Sequence, residues 1–349
     1  PIWVFASCEI TPYDTQTDNI GRAAMLNKNG GAIALMCAAR AVYADQNNQL
    51  NMAFSKYILG NDNTGKRYTF GDAMRMAKVS MLTMGADRTM NKLKYLLIGD
   101  PALTLSIPTY KVVLDSINGE LLTADSYKKL QAGQLVRFSG HISKIDGTCN
   151  EEFSGILNAK ITDKEETIVC KKNDSTTDKP MEYKDRPKVI YEGADSVRNG
   201  KFVLNVLIPR DIAYSNSCAN ISFYAVNSKK NMEANGHNEQ FYLNGTYQGA
   251  EIDEQSPETY IYLNSPDFPD GGITDPNPVF VAEIKDNQGI NTIDNIIGHD
   301  IELVLDNDIS NIYKLNNYFT YDFGSYKEGR VNYPLQGLAP GKHTLSFRV

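Results

Sequence analysis

Residues 1–10, PIWVFASCEI, and 31–40, GAIALMCAAR, decide the architecture of the first part of the chain. Residues 2–6 are a short, wholly apolar run of the kind that forms a buried parallel strand, and residues 32–37 are a second. Between them, residues 19–26 can form a helix that ends near Asn27 and the Gly30–Gly31 pair. Beyond them, residues 48–59 place Leu50, Phe54, Tyr57 and Ile58 at helical spacing. Thr69 can cap a following helix, with Asp72 three residues on in the capping-box position. Phe70, Ala73, Met74, Ala77, Met81 and Met84 then line one face, a stripe that reads as core rather than as a cofactor box. A third strand is expected at residues 93–98, closed by Gly99, Asp100 and Pro101. Apolar strands alternating with helices predict an α/β region whose parallel sheet is covered on both faces.

After Pro108 the pattern changes. YKVVLDSING, QLVRFSGHIS, FSGILNAKITD, GKFVLNVLIP and ANISFYAVN are short period-two segments separated by Gly, Asn, Asp and Lys, as in antiparallel sandwiches. Polar residues 164–185 read as a long loop. A further β module is expected from about Gly249, with strands at residues 259–263, 279–285, 301–305 and 343–349. The domains expected are therefore 1–108, α/β; 109–248, a β-sandwich; and 249–349, a second β-sandwich, incomplete at its end.

A chain of 349 residues has room for two or three domains. No apolar run approaches the length that spans a bilayer. A net charge of −7 lacks the basic stripe of a nucleic-acid footprint, so no nucleic-acid partner is expected. Five cysteines (Cys8, Cys37, Cys149, Cys170 and Cys218) form no CxxC spacing, which argues against a zinc site and leaves at least one thiol over. Asp267, Asp270 and Asp275 around Gly271 and Gly272 match no calcium loop and read as turn chemistry. No cofactor is expected. Pro1 is no initiator, and HTLSFRV stops inside an alternating pattern, so the chain is expected to be a piece of a longer polypeptide.

Cys8 follows the first strand after small Ala6 and Ser7, and precedes polar Glu9 and Thr11. Loops at the carboxyl ends of parallel strands converge on one crevice, and a thiol there needs only a nearby base to become a nucleophile. The competing reading is a buried structural thiol, the common fate of free cysteine. Ala39 and Arg40 follow the second strand at the same sheet edge, with Ala38 and Val42 beside them. Arg40 can grip a substrate carboxylate with its planar fork, or simply pair with Asp45. Glu9 can orient the thiol or its substrate, or stand solvated. The four histidines, His141, His237, His299 and His343, all lie in the β region; His141 is out of phase with the buried positions and expected in solvent, and His237 and His299 follow glycines in expected turns.

FASCEI, LNKNGGAIALMCAARAVYADQNNQLNMAF, TFGDAMRMAK and LLIGDPALTLSIP resemble, in order, the second half of a gingipain-family cysteine peptidase domain. FSGHISKIDG, IPRDIAYSNSCANISFYA, GINTIDNIIGHDIELVLD and LQGLAPGKHTLSFRV are similar to the β domains of that family's signal peptidase/sortase branch of type IX secretion. The resemblance implies a caspase-like α/β fold with Cys8 as nucleophile of a Cys–His dyad. Its histidine would come from a Gly-His-Gly-type strand end before Pro1, in the remainder of the same polypeptide. It also implies that the loop holding Ala39 and Arg40 walls the specificity pocket. The substrates would be exported proteins with C-terminal signal domains, the acceptor water or an amine of surface lipopolysaccharide, the partners outer-membrane secretion components, and the location the bacterial cell surface. Arg22 stands where that branch carries an acid, which bears on specificity. A non-catalytic peptidase-like scaffold and a gingipain-like digestive protease are the alternatives.

Overall fold

The computed structural model describes residues 1–15, 18–172, 178–210, 212, 214–249, 255–290 and 300–349. The chain forms two compact units, Pro1–Ile107 and Pro108–Val349.

In the first unit, β1 (Ile2–Val4), β2 (Ala34–Ala38) and β3 (Tyr95–Gly99) form one sheet with β2 in the centre. Helix α1 (Ile20–Leu26) joins β1 to β2, while α2 (Ala44–Ile58), α3 (Phe70–Thr83) and a 3-10 turn (Asn91–Lys94) join β2 to β3. β2 is fully buried along its five residues, as its unbroken apolar run predicts. Ala34, Met36 and Ala38 face α2 and α3, where Leu50, Phe54, Phe70, Ala73, Ala77 and Tyr95 complete a core. Leu35 and Cys37 face the other way, against Ala24 of α1. Asn19 caps α1 by accepting the Arg22 N–H at 2.9 Å. Gly31 makes the return from α1 possible: it has φ of +96°, and a methyl group there would stand 1.9 Å from the Ala24 carbonyl oxygen.

Four expectations need correction here. β1 pairs with β2 in parallel, Ile2 opposite Ala34, but Trp3 and Val4 are more than one third exposed, because β1 has a strand neighbour on one side only. β3 is antiparallel to β2, Ala38 opposite Tyr95 and Ala34 opposite Gly99, rather than extending a parallel sheet. The reason lies in the connection. The start of α3 is tied to the chain beyond β3, Phe70 N–H to Leu103 O and Gly71 N–H to Pro101 O, while Lys78 farther along α3 bonds the Tyr95 carbonyl. Two successive helices thus return the chain to the edge from which β2 left, and β3 must run back. Finally, Met84 is the C-cap residue of α3 and 75 % exposed, so the core stripe ends at Met81. Leu93 is likewise exposed, in the 3-10 turn before β3.

In the second unit, the expected period-two segments form Tyr110–Ile117, Leu135–Ser143, Gly155–Thr162, Lys201–Leu207 and Asn220–Asn227 of an eight-stranded sheet, with Glu120–Leu121, Val189–Arg198 and Glu233–Asn238. A short parallel contact, Ala234 opposite Tyr110, closes this sheet on itself around Val136, Phe138, Leu157, Ile161 and Phe223. Residues 164–185, expected as a loop, contain an antiparallel hairpin of Glu166–Val169 with Glu182–Asp185. Its strands carry no apolar alternation in the sequence because most of their residues face solvent.

Beyond residue 255, Glu258–Leu263, Val279–Lys285, Phe319–Tyr321 and Glu328–Pro334 form a four-stranded sheet, and Glu302–Leu305, Ile312–Lys314 and Leu345–Arg348 a three-stranded one. Among the described residues no strand pairs across residue 249, yet the apolar core is continuous, with Tyr191 stacked on Tyr321 at 4.9 Å between ring centroids. No described helix is long and apolar enough to cross a membrane.

Candidate active site

β1 does not simply stop at Val4. Phe5 N–H still bonds Met36 O at 2.9 Å, and the chain then turns over at Cys8 and Glu9 and comes back along the end of β2. Glu9 N–H reaches Arg40 O at 3.4 Å, and Thr11 N–H reaches Ala38 O at 3.2 Å. Glu9 takes φ of +48°, the left-handed conformation that lets so short a turn close. Cys8 therefore stands exposed at the carboxyl rim of the two parallel strands. Its sulfur is held by one residue of the segment after β2: Cys8 Sγ donates to Val42 O at 3.3 Å, and Val42 N–H donates to Sγ at 3.5 Å. The second thiol of this unit, Cys37, is fully buried in β2, and burial pushes it up from its ordinary pKa, so at neutral pH it stays a protonated core group. Exposure separates the reactive candidate from the inert one.

Arg40 stands beside this turn but faces a partner the sequence did not suggest. Its Nη2 pairs with Asp14 Oδ2 at 2.5 Å and its Nη1 donates to Ala39 O at 2.8 Å, whereas Asp45 lies in the first turn of α2. The guanidinium holds the Asp14 carboxyl below its usual range, and Asp14 in turn raises Arg40, with Tyr13 and Glu9 adding smaller contributions. Ala39 is buried, its N–H bonded to Lys94 O at 3.0 Å, so it shapes the rim with its backbone. Lys94 Nζ returns a bond to Ala41 O at 2.7 Å, tying the 39–42 segment to the start of β3. Arg22 pairs with Asp18 at 3.2 Å on the exposed side of α1. Tyr43, Ala44, Asp45, Gln46 and Thr89 line a hollow of about 420 Å³ that begins one residue beyond Val42.

Tyr95, which the sequence shows only as the first residue of an apolar strand, sits across β2 from this loop. It is 1 % exposed, and its hydroxyl has no hydrogen-bond partner among the described residues. Burial pushes the phenol up to about 12, and charge on Cys8 and Cys37 adds to the shift.

No histidine occurs in residues 1–107. His141, expected in solvent, is half-buried on the outer sheet face with Nδ1 2.8 Å from Asp115 Oδ2. His237 belongs to the strand Glu233–Asn238 rather than to a turn, opposite Ser222. His343 precedes the last strand, with Nδ1 2.9 Å from Asp306 Oδ2 and Nε2 2.7 Å from Ala339 O. His299, and with it residues 291–298, lies outside the described residues.

Residues 1–106 match the model of peptidase family C25. No curated protein matches the sequence. Among solved structures, dimeric latent PorU from Porphyromonas gingivalis is 29 % identical, covering 91 % of this chain and 30 % of its own, with a TM-score of 0.44. The Arg-specific cysteine proteinase gingipain R is 15 % identical over 70 % of this chain and 45 % of its own, with a TM-score of 0.26. The complex of Porphyromonas gingivalis RgpB pro- and mature domains is 14 % identical over 68 % and 45 %, with a TM-score of 0.24. The chain thus spans less than half the length of each of these proteins. Cys8, its turn and the rim around it all fall inside residues 1–106, the segment that matches the model of peptidase family C25.

Proposed function

We propose that this chain is the nucleophile-bearing part of a cysteine endopeptidase and transpeptidase that removes the C-terminal signal domain of type IX secreted proteins. The observation that carries the reading is an exposed sulfur at the carboxyl rim of the β1–β2 pair, inside a family C25 segment. Deprotonated Cys8 Sγ attacks the scissile carbonyl, the C–N bond breaks, and a thioester joins the substrate acyl group to Cys8. The thiol proton passes through an imidazole to the departing amine. Water, or an amine of surface lipopolysaccharide, then attacks the thioester and releases Cys8. By resemblance to the gingipain family, the imidazole comes from the remainder of the same polypeptide. The Ala39–Arg40 rim contacts substrate, Arg40 offering the donors that Asp14 leaves free. Outer-membrane secretion components are the partners and the cell surface the location, both on the likeness to PorU.

The test is removal of the signal domain by the full polypeptide, followed by mass spectrometry. Cys8→Ala is expected to abolish removal and to leave no acyl adduct. Undiminished removal by that variant would refute the assignment. A non-catalytic scaffold is the second reading, left open by Arg22, which stands where the resembling branch carries an acid. Failure of the full wild-type polypeptide to cleave, or to alkylate at Cys8, would decide for it.

A further inference from the structure

Tyr95 is an expensive choice for its position if it serves only the core. Its ring packs with Ala34, Met36 and Ala38 on the α2–α3 face, a role that phenylalanine would fill equally well. Its hydroxyl is instead buried with no acceptor among the described residues, a condition that costs stability. The register places the Tyr95 backbone close to the Cys8 turn. Ala38 has Tyr95 directly opposite it on one side, and on the other its carbonyl accepts the N–H of Thr11, at the returning end of the Cys8 turn. Adjacent strands lie only about 4.8 Å apart, so Tyr95 and the returning end of the Cys8 turn stand on opposite sides of one small residue, Ala38. Lys78 Nζ, bonded to the Tyr95 carbonyl at 2.7 Å, anchors the tyrosine from the α3 side. The phenol also feels charge on Cys8, and it stays protonated wherever a thiol titrates.

We propose that the Tyr95 hydroxyl is a hydrogen-bond donor held in reserve for the Cys8 thiolate. In the neutral thiol, Cys8 Sγ donates to Val42 O, and Tyr95 has nothing to bind. Once the proton has gone to a base, that contact turns repulsive, because both atoms are then acceptors. The Val42 N–H remains, and the sulfur turns to the phenol as a second donor. The unpaired hydroxyl is thus stability given up in the resting state for an anion formed only during turnover. This inference rests on the proposed role of Cys8 and adds to it a residue that sets how readily the thiolate forms.

The experiment is the pH profile of Cys8 alkylation by iodoacetamide in the full polypeptide, followed on the Cys8 peptide by mass spectrometry. Tyr95→Phe is expected to move the apparent thiol pKa up by about one unit, slowing alkylation about tenfold below it. Its thermal midpoint should stay equal or rise, since only an unpaired hydroxyl is lost. Replacing Tyr95 by 3-fluorotyrosine, a stronger donor of nearly the same size, should move the profile the opposite way. A merely structural tyrosine cannot produce opposite shifts. Coincident profiles for the wild type and both variants overturn the proposal. If they coincide while Cys8→Ala still abolishes signal-domain removal, the donor role falls and the nucleophile stands. If Cys8→Ala cleaves normally, the nucleophile falls, and the donor role falls with it.

Discussion

The Cys8 sulfur and the Arg40 guanidinium leave the same rim in different conditions. The sulfur is exposed and lightly held, with two weak bonds to the Val42 backbone, which is what a nucleophile that must meet a base and a carbonyl requires. The guanidinium already has a carboxylate on Nη2 and the Ala39 carbonyl on Nη1, so a substrate acid meets only its remaining N–H groups. In the second unit, His343 bridges Asp306 and the Ala339 carbonyl, and with both ring nitrogens facing acceptors its protonated form is favoured. Its pKa is raised, first by the bond to Ala339 and then by Asp306. A raised histidine contributes stability that is complete below its unfolded pKa, near 6.5, and is lost as pH rises through the folded value. Asp306, held low by the Thr344 N–H and by His343, contributes in the opposite sense, losing its share as pH falls through its depressed value. An NMR titration of the His343 ring should give a midpoint above 6.5, moving down in Asp306→Asn; a midpoint unmoved by that change would mean the pair is not formed.

Helix α3 displays the element scale most plainly. Thr69 accepts the Asp72 N–H at 3.1 Å and its own hydroxyl bonds Asp72 Oδ2, so the signal legible in TFGD is a working cap. Loss of that cap in Thr69→Ala should cost about 1 kcal/mol, read from the denaturant midpoint of the full chain. No shift would mean that tertiary packing alone holds the first turn. Caps and periodicities could be read in the chain because they act within four residues. α2 starts four residues before residue 48, where its helical spacing becomes legible, for a related reason: Tyr43 bonds no cap with its side chain, and its N–H is met instead by Asn91 Oδ1, 48 residues away. Cys8 is legible as a candidate from its small neighbours and its strand end, and the structure leaves it exposed. Tyr95 gave no such sign, because a tyrosine opening an apolar strand looks like any core aromatic until its hydroxyl is seen to lack a partner.

For the whole molecule, separate cores imply separate stability. Leu50, Phe54 and Phe70 hold the first unit, while Phe138, Phe153 and Phe241 belong to the second. Phe54→Ala should cost about 3–5 kcal/mol and lower only the transition of residues 1–107, and Phe138→Ala should lower only the other. Calorimetry that shows one shared transition moved equally by both would contradict independent units. The apolar runs, the helix caps, the switch to period two after Pro108 and the candidate thiol were all present in the chain as written, since each depends on residues a few positions apart. The reversal of β3, the closing of the eight-stranded sheet through Ala234 and Tyr110, the capture of Arg40 by Asp14 and the solitude of the Tyr95 hydroxyl were not. Each is a contact between residues from 26 to more than 100 positions apart, or the lack of one, and such contacts are chosen by how whole elements pack rather than by any local preference.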